Sequence, residues 1–195
     1  MKDFIKLVTA LAAYNDGRYD GYRIGKACFE LAGQICLVDS TIQKEKENYL
    51  VLEVTGYDAN NKVRGNLTVT LMKQPEVPAS SVWEHKGQTG SDAGVLPDVF
   101  SFGPDQVDRY LDTVQDTNPV HRGEAAIVPG LMLVDFLLDR KLLVLRDARQ
   151  EIRFRKPLPV GTVFSAIHVN RSIWITSPDR QQCYATVCRK GERNV

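Results

Sequence analysis

Between residues 116 and 135 the sequence sets out Asp116, His121, the pair Pro129-Gly130 and Asp135. A histidine titrates near neutrality and can take up a proton, and a carboxyl kept protonated by burial can give one up. A His with an Asp in reach is therefore equipment for general acid–base catalysis. The Pro-Gly pair opens Leu131-Met-Leu-Val-Asp135-Phe-Leu-Leu138, apolar except for the aspartate. Met, Leu and Phe favour helix, and apolar residues on every side require that the helix be enclosed. The start of such a helix, around Val128 to Leu131, carries unpaired N–H donors and about half a positive charge, which suits an oxygen on which negative charge develops. Gly130, without a side chain, would let that oxygen come close. Two carboxyls compete for the role of acid. Asp135 lies between Val134 and Phe136, where burial should raise its pKa and costs several kcal/mol, in round numbers, unless it is paired or protonated. Asp116 lies on a polar loop beside Asn118, which precedes Pro119 and is pushed toward extended geometry.

The elements that must hold these groups can be read from hydrophobic period. Phe4, Leu7, Val8 and Leu11 recur at helical spacing, so residues 3–14 are expected to form an amphipathic helix. Strands are expected over residues 27–31, 34–42, 48–55 and 63–71, with a hairpin loop at 58–62 and a Gly-containing turn at 22–25. Prolines, glycines and serines break every period from 73 to 96, which reads as a linker or long loop. A short strand over 99–102 and a helix over 105–113 lead into the Asp116 loop. The apolar helix then runs from Gly130 to about Leu143. Three strands follow, over 151–156, 162–171 and 182–189, the first turn being Pro157 to Gly161. The expected organisation is an N-terminal section over 1–75, a linker over 76–96 and a section over 97–195 that carries the site. The order of helix, turn and strands recurs in the N-terminal section, with Gly25 where Gly161 stands. It therefore reads as a degenerate half-repeat able to complete the second as a pseudo-dimer.

Composition narrows the function. Lys plus Arg number 25 against 24 Asp plus Glu, a net charge of +1 over 195 residues, which argues against a nucleic-acid binder. Cys28, Cys36, Cys183 and Cys188 have no metal-site or disulfide-framework spacing, so reduced thiols, no metal and a cytoplasmic chain are expected. Asp3 stands where a secretion signal would be purely basic, and no apolar run approaches the roughly 20 residues that span a bilayer.

The hexamer Asp116-Thr-Asn118-Pro119-Val-His121 resembles the signature of the MaoC-like and type-2 enoyl-CoA hydratases. The placing of His121 nine residues before Gly130 and fourteen before Asp135 resembles instead the 3-hydroxyacyl-ACP dehydratases. Both resemblances cover roughly residues 97 to 195 and imply an α+β hotdog fold, an antiparallel sheet wrapped around a buried helix, here with an extra strand-rich N-terminal half. They differ on the acid, the first implying Asp116 with His121 and the second Asp135.

These resemblances imply hydration or dehydration of a fatty acyl thioester carried by coenzyme A or acyl carrier protein, with no cofactor. Asp116, His121 and Asp135 are the candidate catalytic residues; Asn118, Val128, Gly130 and Leu131 are the candidate substrate-binding ones. A hotdog thioesterase and a non-catalytic acyl-binding or assembly protein are the alternatives. Self-association is also expected, because a truncated N-terminal half would leave the apolar helix partly uncovered.

Overall fold

The computed structural model of the chain describes residues 2–73, 99–143, 149–170 and 172–189. Helix α1 (Lys2–Thr9) tightens into a 3-10 turn over Ala10–Tyr14, a common way for a helix to end. Its apolar stripe, Phe4, Leu7 and Val8, is buried against β1 (Tyr22–Leu31), β3 (Tyr49–Tyr57) and β4 (Val63–Lys73), with the rings of Phe4 and Phe29 5.4 Å apart. Leu50, Leu52 and Val54 on β3 and Leu67 and Val69 on β4 are buried and alternate with half-buried neighbours, so one face of these strands is dry. The outer strand of this half, β2 (Leu37–Lys46), is exposed along nearly its whole length. It carries a register shift between Ile42 and Lys44, together with Lys44 and Lys46, features that discourage further strand pairing.

The C-terminal half comprises β5 (Val99–Phe100), α2 (Pro104–Val114), α3 (Gly130–Asp139), β6 (Gln150–Phe154), β7 (Phe164–Val169), β8 (Ser172–Thr176) and β9 (Cys183–Arg189). Phe136 of α3 packs on Phe100, Phe102 and Phe164, its ring centroid 4.9, 5.3 and 5.8 Å from theirs. The two halves share one antiparallel sheet of nine strands, in the order β2-β3-β4-β1-β6-β9-β8-β7-β5. They join where Lys26 to Phe29 of β1 pair with Arg153 to Gln150 of β6. The expected linker over 76–96, and His85 in it, lie outside the described residues.

Four expectations about elements need correction. Residues 22–25 are not a turn but the start of β1; the turn lies earlier, where Gly17 and Gly21 have positive φ. Gly25 sits at a register shift within the strand, and a Cβ there would stand 2.1 Å from the Met72 terminal methyl. It is thus unlike Gly161, which occupies a turn at φ +80. Strand β2 starts three residues later than expected and runs on through Lys46, because an exposed edge tolerates a charged run that a buried strand would not. The apolar helix stops at Asp139 rather than Leu143, ended by Lys141 in the left-handed conformation at φ 56. A fourth C-terminal strand, β8, follows β7 through a hairpin that begins at Asn170, φ 56.

Leu131 to Val134, Leu137 and Leu138 are all buried, with α1 packed beside α3. One chain thus covers most of its own helix. Among the described residues no helix is long and apolar enough to cross a membrane.

Candidate active site

Helix α2 ends because Gln115 turns left-handed, φ 58, while the Asp116 N–H reaches back to the Leu111 carbonyl at 3.0 Å. This throws the following loop across the start of β1. Asp116 Oδ1 accepts the Asn118 N–H at 2.9 Å, a local turn of the kind Asp favours. Asn118 then pins the loop to the N-terminal half. Its Nδ2 donates to the Tyr22 carbonyl at 2.9 Å, and its Oδ1 accepts from Gly21 N at 3.2 Å and Val120 N at 3.3 Å. The side chain expected to touch substrate is thus already engaged in holding two parts of the chain together.

Pro119–His121 form one 3-10 turn that aims the imidazole inward. His121 Nδ1 lies 2.9 Å from the Ile127 carbonyl. A carbonyl only accepts, so Nδ1 carries the hydrogen and the lone pair of the neutral ring is on Nε2. Nε2 faces Asp116 Oδ2 at 3.8 Å. That separation is too long for a direct hydrogen bond, but an oxygen about 2.8 Å from both would complete a triangle. Burial lowers the His121 pKa, the Asp116 carboxyl opposes that shift, and Arg23 and Arg122 add to it. The ring is therefore kept as the neutral base.

The start of α3 is delivered to the same place by a short ladder. Val128 N donates to the Leu158 carbonyl at 2.8 Å, and Val160 N to the Ala126 carbonyl at 3.0 Å. The Met132 and Leu133 amides both turn back to the Pro129 carbonyl. Proline has no N–H and the first amides of a helix have no partner within it, so Gly130 and Leu131 present two N–H groups without a partner among the described residues. The expected donor set thus narrows from Val128–Leu131 to two residues. A Cβ on Gly130 would stand 2.9 Å from the Phe154 ring, so that the absence of a side chain there serves close packing with β6.

These groups meet in one cavity, lined by Asp116, Asn118, His121, Val128, Gly130 and Leu131. Past Lys26 and Arg153 the strands β1 and β6 no longer pair, which leaves a fork in the sheet, and Arg23 on one branch and Arg155 and Lys156 beyond the other line the cavity. Its apolar lining from the N-terminal half includes Val8 and Leu11 on α1 and its 3-10 turn, and Leu52, Val69 and Leu71 on the sheet. Sequence reasoning missed Arg23, because residues 22–25 were read as a turn. It also missed Tyr110, which lines the cavity from α2. Among the described residues no three His, Cys, Asp or Glu side chains gather as they would around a metal.

Asp135 is not among the lining residues. Its Oδ1 is buried without a hydrogen-bond partner, and desolvation, with Asp139 adding to it, pushes its pKa from 3.8 up to about 6. Between about pH 4 and 6 the folded protein therefore holds a proton that the unfolded chain has lost, and stability falls as pH rises through that window. Discounting for partial exposure leaves an effect of about 1–2 kcal/mol. Asp135→Asn should accordingly unfold at higher urea than the wild type at pH 7.5 and lose that advantage at pH 4. Equal destabilisation of the variant at both pH values would mean that the carboxylate is paired.

Neither the family models nor the curated proteins include a match to this sequence. Solved structures do match. HtdX from Mycobacterium tuberculosis superposes with a TM-score of 0.67 at 14% identity, over 97% of this chain and 88% of that one. A MaoC-like dehydratase from Phytophthora capsici gives 0.54 at 14%, over 89% and 73%. An acyl-ACP thioesterase from Bacteroides thetaiotaomicron gives 0.54 at 11%, over 91% and 79%. The fold is a hotdog fold. Within it, the C-terminal half carries the Asp116–His121 pair, and both halves contribute apolar residues to the cavity wall.

Proposed function

We propose that the protein adds water across the double bond of an enoyl thioester, or removes it from a 3-hydroxyacyl thioester in the reverse direction. The observation that carries this reading is Asp116 and neutral His121 facing one another 3.8 Å apart in a cavity that the amide-bearing residues Gly130 and Leu131 also line. In the hydration direction Asp116 and His121 hold a water. As its oxygen bonds to C3, its proton passes to this pair, and the pair returns a proton to C2, where the electrons of the C2–C3 double bond form the new C–H bond. The charge that develops on the thioester oxygen meanwhile is stabilised by the two amides. Dehydration retraces these steps. The acyl tail would follow the apolar wall of the N-terminal half, and Arg23, Arg155 and Lys156 at the fork suit the phosphates of a coenzyme A or phosphopantetheine carrier. That a MaoC-like dehydratase shares the fold supports the reading.

A thioesterase reading draws support from the acyl-ACP thioesterase of the same fold, since the same pair could direct water at the carbonyl carbon instead. One assay separates the two. With crotonyl-CoA, hydration consumes the enoyl absorbance and leaves the thioester intact, whereas thioester cleavage releases free thiol, detectable with a thiol-reactive dye. Loss of the enoyl signal without thiol is the expected result. Thiol release at the rate of substrate loss, or no conversion of enoyl thioesters of any length, would overturn the proposal.

A further inference from the structure

Helix α2 turns Val107, Tyr110, Leu111 and Val114 toward the interior. Three of the four are apolar and complete the core, and a phenylalanine at 110 would do the same. The tyrosine instead brings a hydroxyl that is buried and has no hydrogen-bond partner among the described residues, on a residue that lines the cavity. An unpaired buried hydroxyl is destabilising, and native proteins rarely keep one unless a ligand supplies the missing partner. We infer that Tyr110 is a further substrate-contacting residue, whose hydroxyl donates a hydrogen bond to the oxygen that is added to or lost from C3 of the acyl thioester. The inference rests on the hydration and dehydration reading given above.

Two considerations assign that oxygen rather than the thioester carbonyl. The carbonyl already has donors in the amides of Gly130 and Leu131 at the start of α3. Tyr110, by contrast, stands on α2, the helix whose end at Gln115 leads directly into Asp116, and both residues line the cavity. Burial first, then the charges of Asp135 and Asp116, push its pKa well above the ordinary value, so the phenol keeps its proton and has an O–H to donate. In dehydration the Asp116–His121 pair takes a proton from C2, the electrons of that C–H bond form the C2–C3 double bond as the C3–O bond breaks, the pair protonates the departing oxygen, and the Tyr110 hydrogen bond shares the charge on it. In hydration the same bond holds the water by one lone pair and leaves the other to form the bond to C3. The Tyr110 proton is not transferred in either direction.

The test compares wild type and Tyr110→Phe in three measurements. Hydration of crotonyl-CoA should slow by about ten- to a hundredfold in the variant, with the residual rate still dependent on His121. Binding of two unreactive thioether analogues, 3-hydroxybutyl-CoA and butyl-CoA, should show a preference of about tenfold for the hydroxylated one in the wild type and none in the variant, both proteins binding butyl-CoA alike. The ligand-free variant should melt at or above the wild-type temperature, since no internal partner loses a bond. A retained preference for the hydroxylated analogue, or a lower melting temperature of the empty variant, would overturn the inference and leave the hydration reading standing. A wild type that neither converts crotonyl-CoA nor binds either analogue would remove the hydration reading, and the inference with it.

Discussion

His121→Ala is expected to lower kcat/KM for crotonyl-CoA hydration by about 10²–10⁴, the usual contribution of one general acid–base group. The Nδ1 bond to Ile127 fixes the tautomer, the turn over Pro119–His121 fixes the ring, and burial keeps it unprotonated. No other described imidazole can substitute, because His168 stands exposed on β7. The fold should survive, since the side chain contributes a single hydrogen bond at the rim of the core. Melting temperature and far-ultraviolet dichroism would check that. The wild-type pH profile supplies an independent reading. The base must be neutral, so the rate should fall on the acid side, and the lowered pKa places that limb below the ordinary 6.5. An acid limb above 7 that persists in His121→Ala would assign the titration to another group and take His121 out of the mechanism.

The second large effect concerns the two carboxyls. Asp116→Asn preserves the size of the side chain and the Oδ1 that accepts from Asn118, but removes a group able to take a proton from the bound oxygen. A loss of about 10²–10⁴ in kcat is expected, with KM little changed, because the group acts on the reacting oxygen rather than on the acyl tail. Asp135→Asn should stay close to the wild-type rate, since Asp135 does not line the cavity. The opposite order, with Asp135→Asn inactive and Asp116→Asn active, would restore the arrangement implied by the 3-hydroxyacyl-ACP dehydratase spacing. Measuring both variants on one substrate at one pH decides between them.

What could be read from the sequence was mostly local. The period of Phe4, Leu7 and Val8 gave the first helix, the alternation from Val63 to Leu71 a strand, and Pro129-Gly130 the start of the enclosed helix. Each of these rests on neighbours within a few turns or one strand. Long-range partners were out of reach. Gly25 reads as a turn until Met72, far along the chain, is known to lie over it. Asn118 reads as a substrate contact until the backbone of Gly21 and Tyr22 is seen to occupy its amide. Tyr110 reads as one more apolar residue on α2 until its hydroxyl is found buried without a partner among the described residues, on a residue that lines the cavity. The pairing of Asp116 with His121 was favoured by the residue identities of the hexamer that holds them, whereas Asp135 rested on spacing alone; the separation of 3.8 Å and the absence of Asp135 from the cavity wall are visible only in three dimensions.

The join between β1 and β6 also bears on how the chain acquires its shape. Cys28 pairs with Glu151, so a strand made early waits for one made more than a hundred residues later. At typical ribosomal speeds that delay is about 6–25 s, far longer than a helix or hairpin takes to form. During that interval β2, β3, β4 and β1 can already assemble around α1, with β2 guarded by its lysines and bulge. The edge of β1 that faces β6 carries Lys26 at one end but the apolar, buried Ala27, Cys28 and Phe29 along its centre. A nascent chain therefore spends its synthesis with one sticky strand edge exposed, and slow translation or crowding of unfinished copies would be paid for in aggregation before any site exists.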